Sequence, residues 1–236
     1  MGFGCGDQTI YLSRQAFVDP QTSIPKPDHP KLGRYAGITL DKKQYYFATQ
    51  HLHEHGIRSD QYDVRVFCAD AAKPSSWSTE LLAAVNARMH GHEKWVLALD
   101  TLYHFSPSRW PIINYAYGNL HASLMAFDLV LADDASLFSW LLLVIICLLS
   151  GCPVVNFVTA REYRRQLVSA GYAEEKIEIR DISEHVFEPL TRFLEERERQ
   201  LGMIGLGIGG FRVARWMFGW WAKNGVVRAV IVIARR

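Results

Sequence analysis

Three groups of residues in this 236-residue sequence have types and spacings that could do chemistry. Gly2, Gly4 and Gly6 alternate along the first residues, so the backbone there can turn sharply and let a ligand lie against main-chain N–H groups. Directly after them, Gln8 to Ala16 carries Ile10, Tyr11, Leu12 and Ala16, the pattern of a first helix whose N-terminus directs partial positive charge at the loop. That is the entry to a nucleotide-type site. Asp70 ends a strand-like run, and open α/β sheets bind ligands at the carboxyl edge of their strands. Asp100, Tyr103 and His104 follow the apolar run that begins at Lys94. A histidine four residues beyond a central strand sits where a proton can be taken from a substrate. Plainer alternatives stay open at each place: a structural glycine turn, a solvated Asp70, a packed histidine.

Strands and helices in alternation are needed to bring these groups together. Arg34–Leu40 reads as a strand and Asp41–Gly56 as a helix with Asp41 placed to cap it. Asp63–Ala69 is a further strand, Ser78–His90 an amphipathic helix, and Lys94–Asp100 the most strand-like run so far. Asn114–Phe127 then reads as a helix and Asp128–Ala132 as a strand. This order predicts a parallel sheet with right-handed crossovers. Thr159 or Ala160 to Gly171 is a helix ending in glycine, Lys176–Ile182 a strand, and Ser183–Leu201 a charge-rich helix. Gly225–Ala234 is a last strand, expected to be antiparallel. The segment from Asp19 to Pro30, with four prolines, is a surface loop longer than most connections.

Composition narrows the partners. With 49% hydrophobic and 21% charged residues, the chain is large enough for one α/β domain spanning 1–236. A net charge of +2 gives no case for nucleic acid, so a small molecule is the expected partner. Cys5, Cys68, Cys147 and Cys152 form no Cys-x-x-Cys pair and no Cys/His grouping at zinc spacing, which predicts reduced core thiols and no metal. No signal peptide is recognisable, and a cytoplasmic location follows by default. Oligomeric state is left undetermined by the sequence.

Four fragments in this order resemble the class I S-adenosylmethionine-dependent methyltransferases. They are the Gly2-x-Gly4-x-Gly6 loop, Gly37-Ile-Thr-Leu-Asp-Lys-Lys-Gln44, Asp70-Ala71, and Ala98-Leu-Asp-Thr-Leu-Tyr-His-Phe105 with Arg109. The second is similar to the variant found in the small-molecule and lipid branch, with its cyclopropane-fatty-acid-synthase-like and methyltransferase type 11 proteins. The resemblance implies a Rossmann-like, mostly parallel α/β sheet with helices on both faces and the last strand antiparallel. It implies S-adenosyl-L-methionine as cofactor, held by Gly2, Gly4, Gly6, Thr39, Gln44, Asp70, Ala71 and Asp100. Tyr103 and His104 would face a small, lipophilic acceptor, with His104 as base where the acceptor atom carries a proton. Cyclopropane synthases of this branch carry a glutamate directly before that histidine. Here the position is Tyr103, which argues against cyclopropanation. Met1 stands where the residue before the first glycine belongs. The first strand and its acidic residue are therefore missing, and the chain is expected to be N-terminally truncated, with a non-catalytic methyltransferase-like protein as the alternative.

The apolar run Leu137–Leu149 is about 20 Å long as a helix, short of the ~30 Å of a bilayer core, and Ser150-Gly-Cys-Pro153 stops it. Two lid-like helical insertions are expected, at about 137–157 and 203–224, with peripheral contact to a membrane kept open because Trp216, Trp220 and Trp221 stand beside Arg212, Arg215 and Lys223. Gly205–Gly210 follows a charged helix rather than a strand and is set aside as a phosphate loop.

Overall fold

The computed structural model describes residues 1–16, 33–57, 63–87 and 93–236. The proline-rich 19–30 segment and the end of the predicted Ser78–His90 helix lie outside them. Helix α1 (Asp7–Ala16) follows the glycine loop; β1 (Tyr35–Thr39), α2 (Lys42–Glu54), β2 (Val64–Cys68), α3 (Thr79–Asn86), β3 (Trp95–Leu99), α4 (Trp110–Gly118) and β4 (Ser123–Leu131) alternate after it. The chain continues through α5 (Leu137–Ser150), α6 (Ala160–Ala170), β5 (Ile177–Asp181), α7 (Phe187–Gly202), α8 (Phe211–Asn224) and β6 (Val227–Ala234).

Local chemistry sets the ends of these elements. Asp41 accepts from the backbone N–H of Lys43 and Gln44, fixing the start of α2. At α6, Thr159 accepts from the Glu162 N–H, and Gly171 closes the helix at φ 116°. No other residue fits at Gly171, because a Cβ there would stand 2.1 Å from the Tyr117 ring. The reading of Asn114–Phe127 as one helix is corrected: α4 ends at Gly118, and Ser123–Phe127 belongs to β4. Alternation of side chains across a pleat overrode the helical spacing. Leu124, Ala126 and Val130 of β4 enter one core, while Leu129 enters the other.

The strands form two hydrogen-bonded groups, β1–β2 in parallel and β3–β4–β6–β5. Pairing of β3 with β4 is parallel, and β6 runs antiparallel to both β4 and β5. The fold is therefore mostly parallel with an antiparallel last strand, as expected. It departs from one continuous sheet at a seam between β1 and β3. Two residues bridge that seam: the Met1 amine donates to the Leu97 carbonyl (2.5 Å) and the Gly2 N–H to the Ile38 carbonyl (2.8 Å).

Helices cover both faces. Leu81, Ile112, Ile113, Tyr163 and Leu167 from α3, α4 and α6 fill the larger core, and Leu143, Cys147, Phe187 and Trp221 from α5, α7 and α8 the smaller. On β6, Val230, Val232 and Ala234 point to the first and Val227 and Ala229 to the second, so alternate residues of one strand sort the two layers. Inside the larger core, Arg109 and Asp128 form a fully buried ion pair, and Tyr163 donates its hydroxyl to the same carboxylate oxygen at 2.9 Å. Cys147 is buried, but Cys5 and Cys68 are exposed and Cys152 half-buried, all with free thiols. The expectation of core thiols thus holds for Cys147 alone, since Cys5 lies in the turn and Cys68 at a strand end.

Candidate functional site

The carboxyl ends of β1 and β3 are drawn together by the glycine loop. Gly2 (φ 65°), Gly4 (φ 57°) and Gly6 (φ 98°) all adopt the left-handed backbone that side chains disfavour. Their surroundings differ. A Cβ on Gly2 would meet the Thr101 side chain at 2.8 Å, so this glycine lets the loop lie directly on the turn after β3. At Gly6 the neighbour is Ala48 of α2 at 3.2 Å, so the third glycine allows a close approach of loop and helix. Among the described residues nothing stands within 4 Å above Gly4, so on their side a ligand can rest on the backbone.

Thr39 ends β1, is buried, and donates its hydroxyl to Gln44 Oε1 (3.0 Å); the Asp41 N–H reaches the same hydroxyl at 3.4 Å. The two residues singled out from the second fragment are thereby in contact. Across the strand pair, the Ala69 N–H donates to the Thr39 carbonyl at 2.9 Å, which carries the chain from β2 directly into Asp70. Asp70 accepts the Ala72 N–H (2.9 Å) on one carboxylate oxygen and faces Lys73 (3.4 Å) with the other, while its carbonyl accepts the Trp77 indole N–H at 2.8 Å. Ala71 is buried beneath this turn.

Beyond β3, Asp100 takes a left-handed backbone (φ 55°), unusual for a residue with a side chain and a mark of local strain. Its carboxylate accepts the Tyr103 hydroxyl at 2.7 Å. Burial, and then the Asp100 charge, push the Tyr103 phenol far above its ordinary range, so it stays protonated as a donor. Burial lowers the His104 pKa below 6.5, with Asp100 and Asp128 opposing, which keeps the ring neutral at pH 7.

Three residues were missed by sequence reasoning. Cys152, at the end of the apolar run, places its Sγ 3.0 Å from His104 Nδ1. Thr101 supports Gly2. Asn156, fully buried, donates through Nδ2 to the Tyr103 (3.0 Å) and Phe105 (2.9 Å) carbonyls and accepts the Arg109 N–H on Oδ1 (3.0 Å). It thus ties the turn bearing His104 to the start of α4. A lone amide inside Val154-Val-Asn-Phe-Val158 is the signal that would have found it, since a polar group in an apolar run must find partners.

The structure therefore brings Gly2, Thr39, Gln44, Asp70, Ala71, Asp100, Tyr103 and His104 to the ends of β1, β2 and β3, with Gly4 open above the loop and Gly6 turned to α2. A groove of about 480 Å³ elsewhere, with Thr191, Arg215, Trp216 and Lys223 in its walls, belongs to α7 and α8 and contains none of these residues. Convergent polar groups, rather than volume, make this rim the candidate site.

No protein-family model and no curated protein matches the sequence. Solved structures do match its fold. It is similar to the cyclopropane synthase MmaA2 from Mycobacterium tuberculosis, at 13% identity over 86% of this chain and 70% of that one, with a TM-score of 0.59. The geranyl diphosphate C-methyltransferase from Streptomyces coelicolor A3(2), determined with S-adenosyl-L-homocysteine, is similar at 15% identity over 100% of this chain and 71% of that one, TM-score 0.56. The Haemonchus contortus phosphoethanolamine N-methyltransferase 2, determined with S-adenosyl-L-methionine, gives a TM-score of 0.61 at 11% identity, over 85% of this chain but 43% of that one. These likenesses show the fold alone, a Rossmann-like α/β fold that the chain shares with these three enzymes. This chain spans less than half of the Haemonchus enzyme and about seven-tenths of the other two.

Proposed function

We propose that this chain is a methyltransferase that binds S-adenosyl-L-methionine at the carboxyl ends of β1–β3 and methylates a small, lipophilic acceptor. The observation that carries this reading is the assembly of one polar rim from four distant stretches: an open left-handed glycine turn, the Thr39–Gln44 pair, Asp70 with Ala71, and the turn from Asp100 to His104. The residues fit the cofactor, because Gly4 offers bare backbone with space above it and the three strand ends supply hydroxyl, amide and carboxylate groups around it. Gly2, Gly4, Gly6, Thr39, Gln44, Asp70, Ala71 and Asp100 would hold it. When bound, its sulfonium supplies the methyl group. The protein's share is alignment, and holding two reactants in register is worth several kcal/mol of a barrier.

Tyr103, whose one hydroxyl proton goes to Asp100, would orient the acceptor by accepting from it through a lone pair of the same oxygen. His104, kept neutral by burial, would take the acceptor's proton through Nε2, which requires its Nδ1–H to point at Cys152 Sγ. Fold neighbours acting on geranyl diphosphate or phosphoethanolamine support a small acceptor. The uncharged helix α5 supports a lipophilic one, since Leu137, Phe138, Leu141, Ile145, Leu148 and Leu149 are exposed on it. As a lid, that face would cover the acceptor. Peripheral contact with a membrane surface is the second reading of the same face; no helix among the described residues is long and apolar enough to cross a membrane.

Calorimetry of the chain with S-adenosylhomocysteine tests the first reading. Binding heat together with a raised melting temperature is expected, and a ligand at 100 times its Kd stabilises by about 2.7 kcal/mol. Neither heat nor shift would end it. Flotation with vesicles tests the second.

A further inference from the structure

Helix α2 ends in His51-Leu-His-Glu-His55, a run the methyl-transfer site does not use. Residues four apart share a helix face, and here the two imidazoles meet, with Nε2 of His51 and Nε2 of His55 at 3.0 Å. The opposite nitrogen of His51 is committed. Its Nδ1 lies 3.3 Å from the Cys5 carbonyl, which can only accept, so Nδ1 carries the proton and Nε2 of the neutral ring presents a lone pair to His55. That is the arrangement by which proteins orient a metal-binding histidine: one ring nitrogen anchored to a carbonyl, the other aimed at the ion.

We propose that His51 and His55 bind a divalent transition-metal ion of the nickel(II) or copper(II) type through their two Nε2 atoms, with water filling the other positions. The spacing selects the ion. Metal–imidazole bonds of about 2.1 Å spanning 3.0 Å subtend about 90°, the angle between neighbouring ligands of an octahedral or tetragonal ion. A tetrahedral zinc ion would need the nitrogens some tenths of an ångström further apart. The local field favours a cation. Asp7 Oδ1 lies 3.9 Å from the His51 ring, and the last turn of α2 contributes the negative end of its dipole, with His55 at the cap.

No group of three or more metal-binding side chains occurs among the described residues, so this is a two-ligand chelate. In the ion-free chain, His55 Nε2–H donates to His51 Nε2. Binding moves that proton to His55 Nδ1, and both Nε2 lone pairs go to the metal. A metal-bound imidazole is also a stronger Nδ1–H donor, so the ion would tighten the bond to Cys5 and stiffen the glycine turn at Gly4 to Gly6.

The test is nickel chloride titrated into the full chain, followed by calorimetry and thermal melting. The expected result is one ion per chain, a raised melting temperature, and binding at least tenfold weaker in His55→Gln and His51→Gln. His53→Gln, on the same helix but outside the chelate, leaves it unchanged. His55 is exposed, so its variant folds even where the loss of the His51 anchor unsettles the loop. Unchanged affinity in His55→Gln, equal weakening in His53→Gln, or no binding at millimolar nickel would each overturn the proposal.

Discussion

Replacing Asn156 with alanine isolates the contact that holds the His104 turn. The amide uses both Nδ2 protons, on the Tyr103 and Phe105 carbonyls, and its Oδ1 takes the Arg109 N–H. Removal deletes three hydrogen bonds worth about 1 kcal/mol each and strands partners in a site where Asn156 itself is fully buried, which adds to the loss. The expected destabilisation is about 3–5 kcal/mol, a large part of the 5–15 kcal/mol of an ordinary domain. With a urea slope of about 2–3 kcal/mol/M, the unfolding midpoint falls by at least ~1 M at constant slope. Asn156→Asp keeps the acceptor but loses both donors, so it should fall nearly as far. An NMR titration supplies a second reading: once the turn loosens, His104 regains water and its pKa rises toward 6.5. A loss below about 1 kcal/mol with an unmoved His104 titration would refute the role of Asn156, and show that other contacts fix the turn.

Three further outcomes follow from the same physics. Asp128→Ala leaves the Arg109 guanidinium buried without its carboxylate and should cost about 3–5 kcal/mol by denaturant unfolding, whereas the paired Arg109→Met, Asp128→Leu variant should lose less. Leu143→Ala on the inner face of α5 should cost about 2–5 kcal/mol by denaturant unfolding, while Leu149→Ser on the outer face changes stability by about 0.5 kcal/mol or less. The unfolded chain protonates His104 at higher pH than the folded one. The stability it contributes is therefore complete above pH 6.5 and declines as pH falls from 6.5 through the lowered folded value. His104→Gln should flatten the stability profile in that window.

Much of the fold was legible because single residues announce element ends. Asp41, Thr159 and Gly171 stand at the caps where their types placed them. The boundary between α4 and β4 was not, because Asn114–Phe127 has apolar residues that suit either period, and only pairing with β3 and β6 decides between them. At the site, Thr39 and Gln44 were legible as a pair through the resemblance of Gly37–Gln44 to the methyltransferase variant, and lying five residues apart on consecutive elements they are in contact. Cys152 against His104 and Asn156 beneath Tyr103 were not, since about 50 residues separate each pair and local spacing carries no trace of such contacts. The His51–His55 chelate lay in plain view as a one-turn repeat. Its meaning depends on the Cys5 carbonyl, which arrives from another segment.

The seam between β1 and β3 changes the edge count of this protein. An unbroken six-stranded sheet has two margins of unpaired peptide groups; with β1–β2 and β3–β4–β6–β5 apart, β1, β2, β3 and β5 each present one. Two of these margins, those of β1 and β3, lie on either side of the seam, and among the described residues Met1 and Gly2 bond to them. Margins of this kind are templates for further strand pairing. Among the described residues, an extended segment laid between β1 and β3 would therefore meet strand margins in the middle of the sheet and not only at its outer edges.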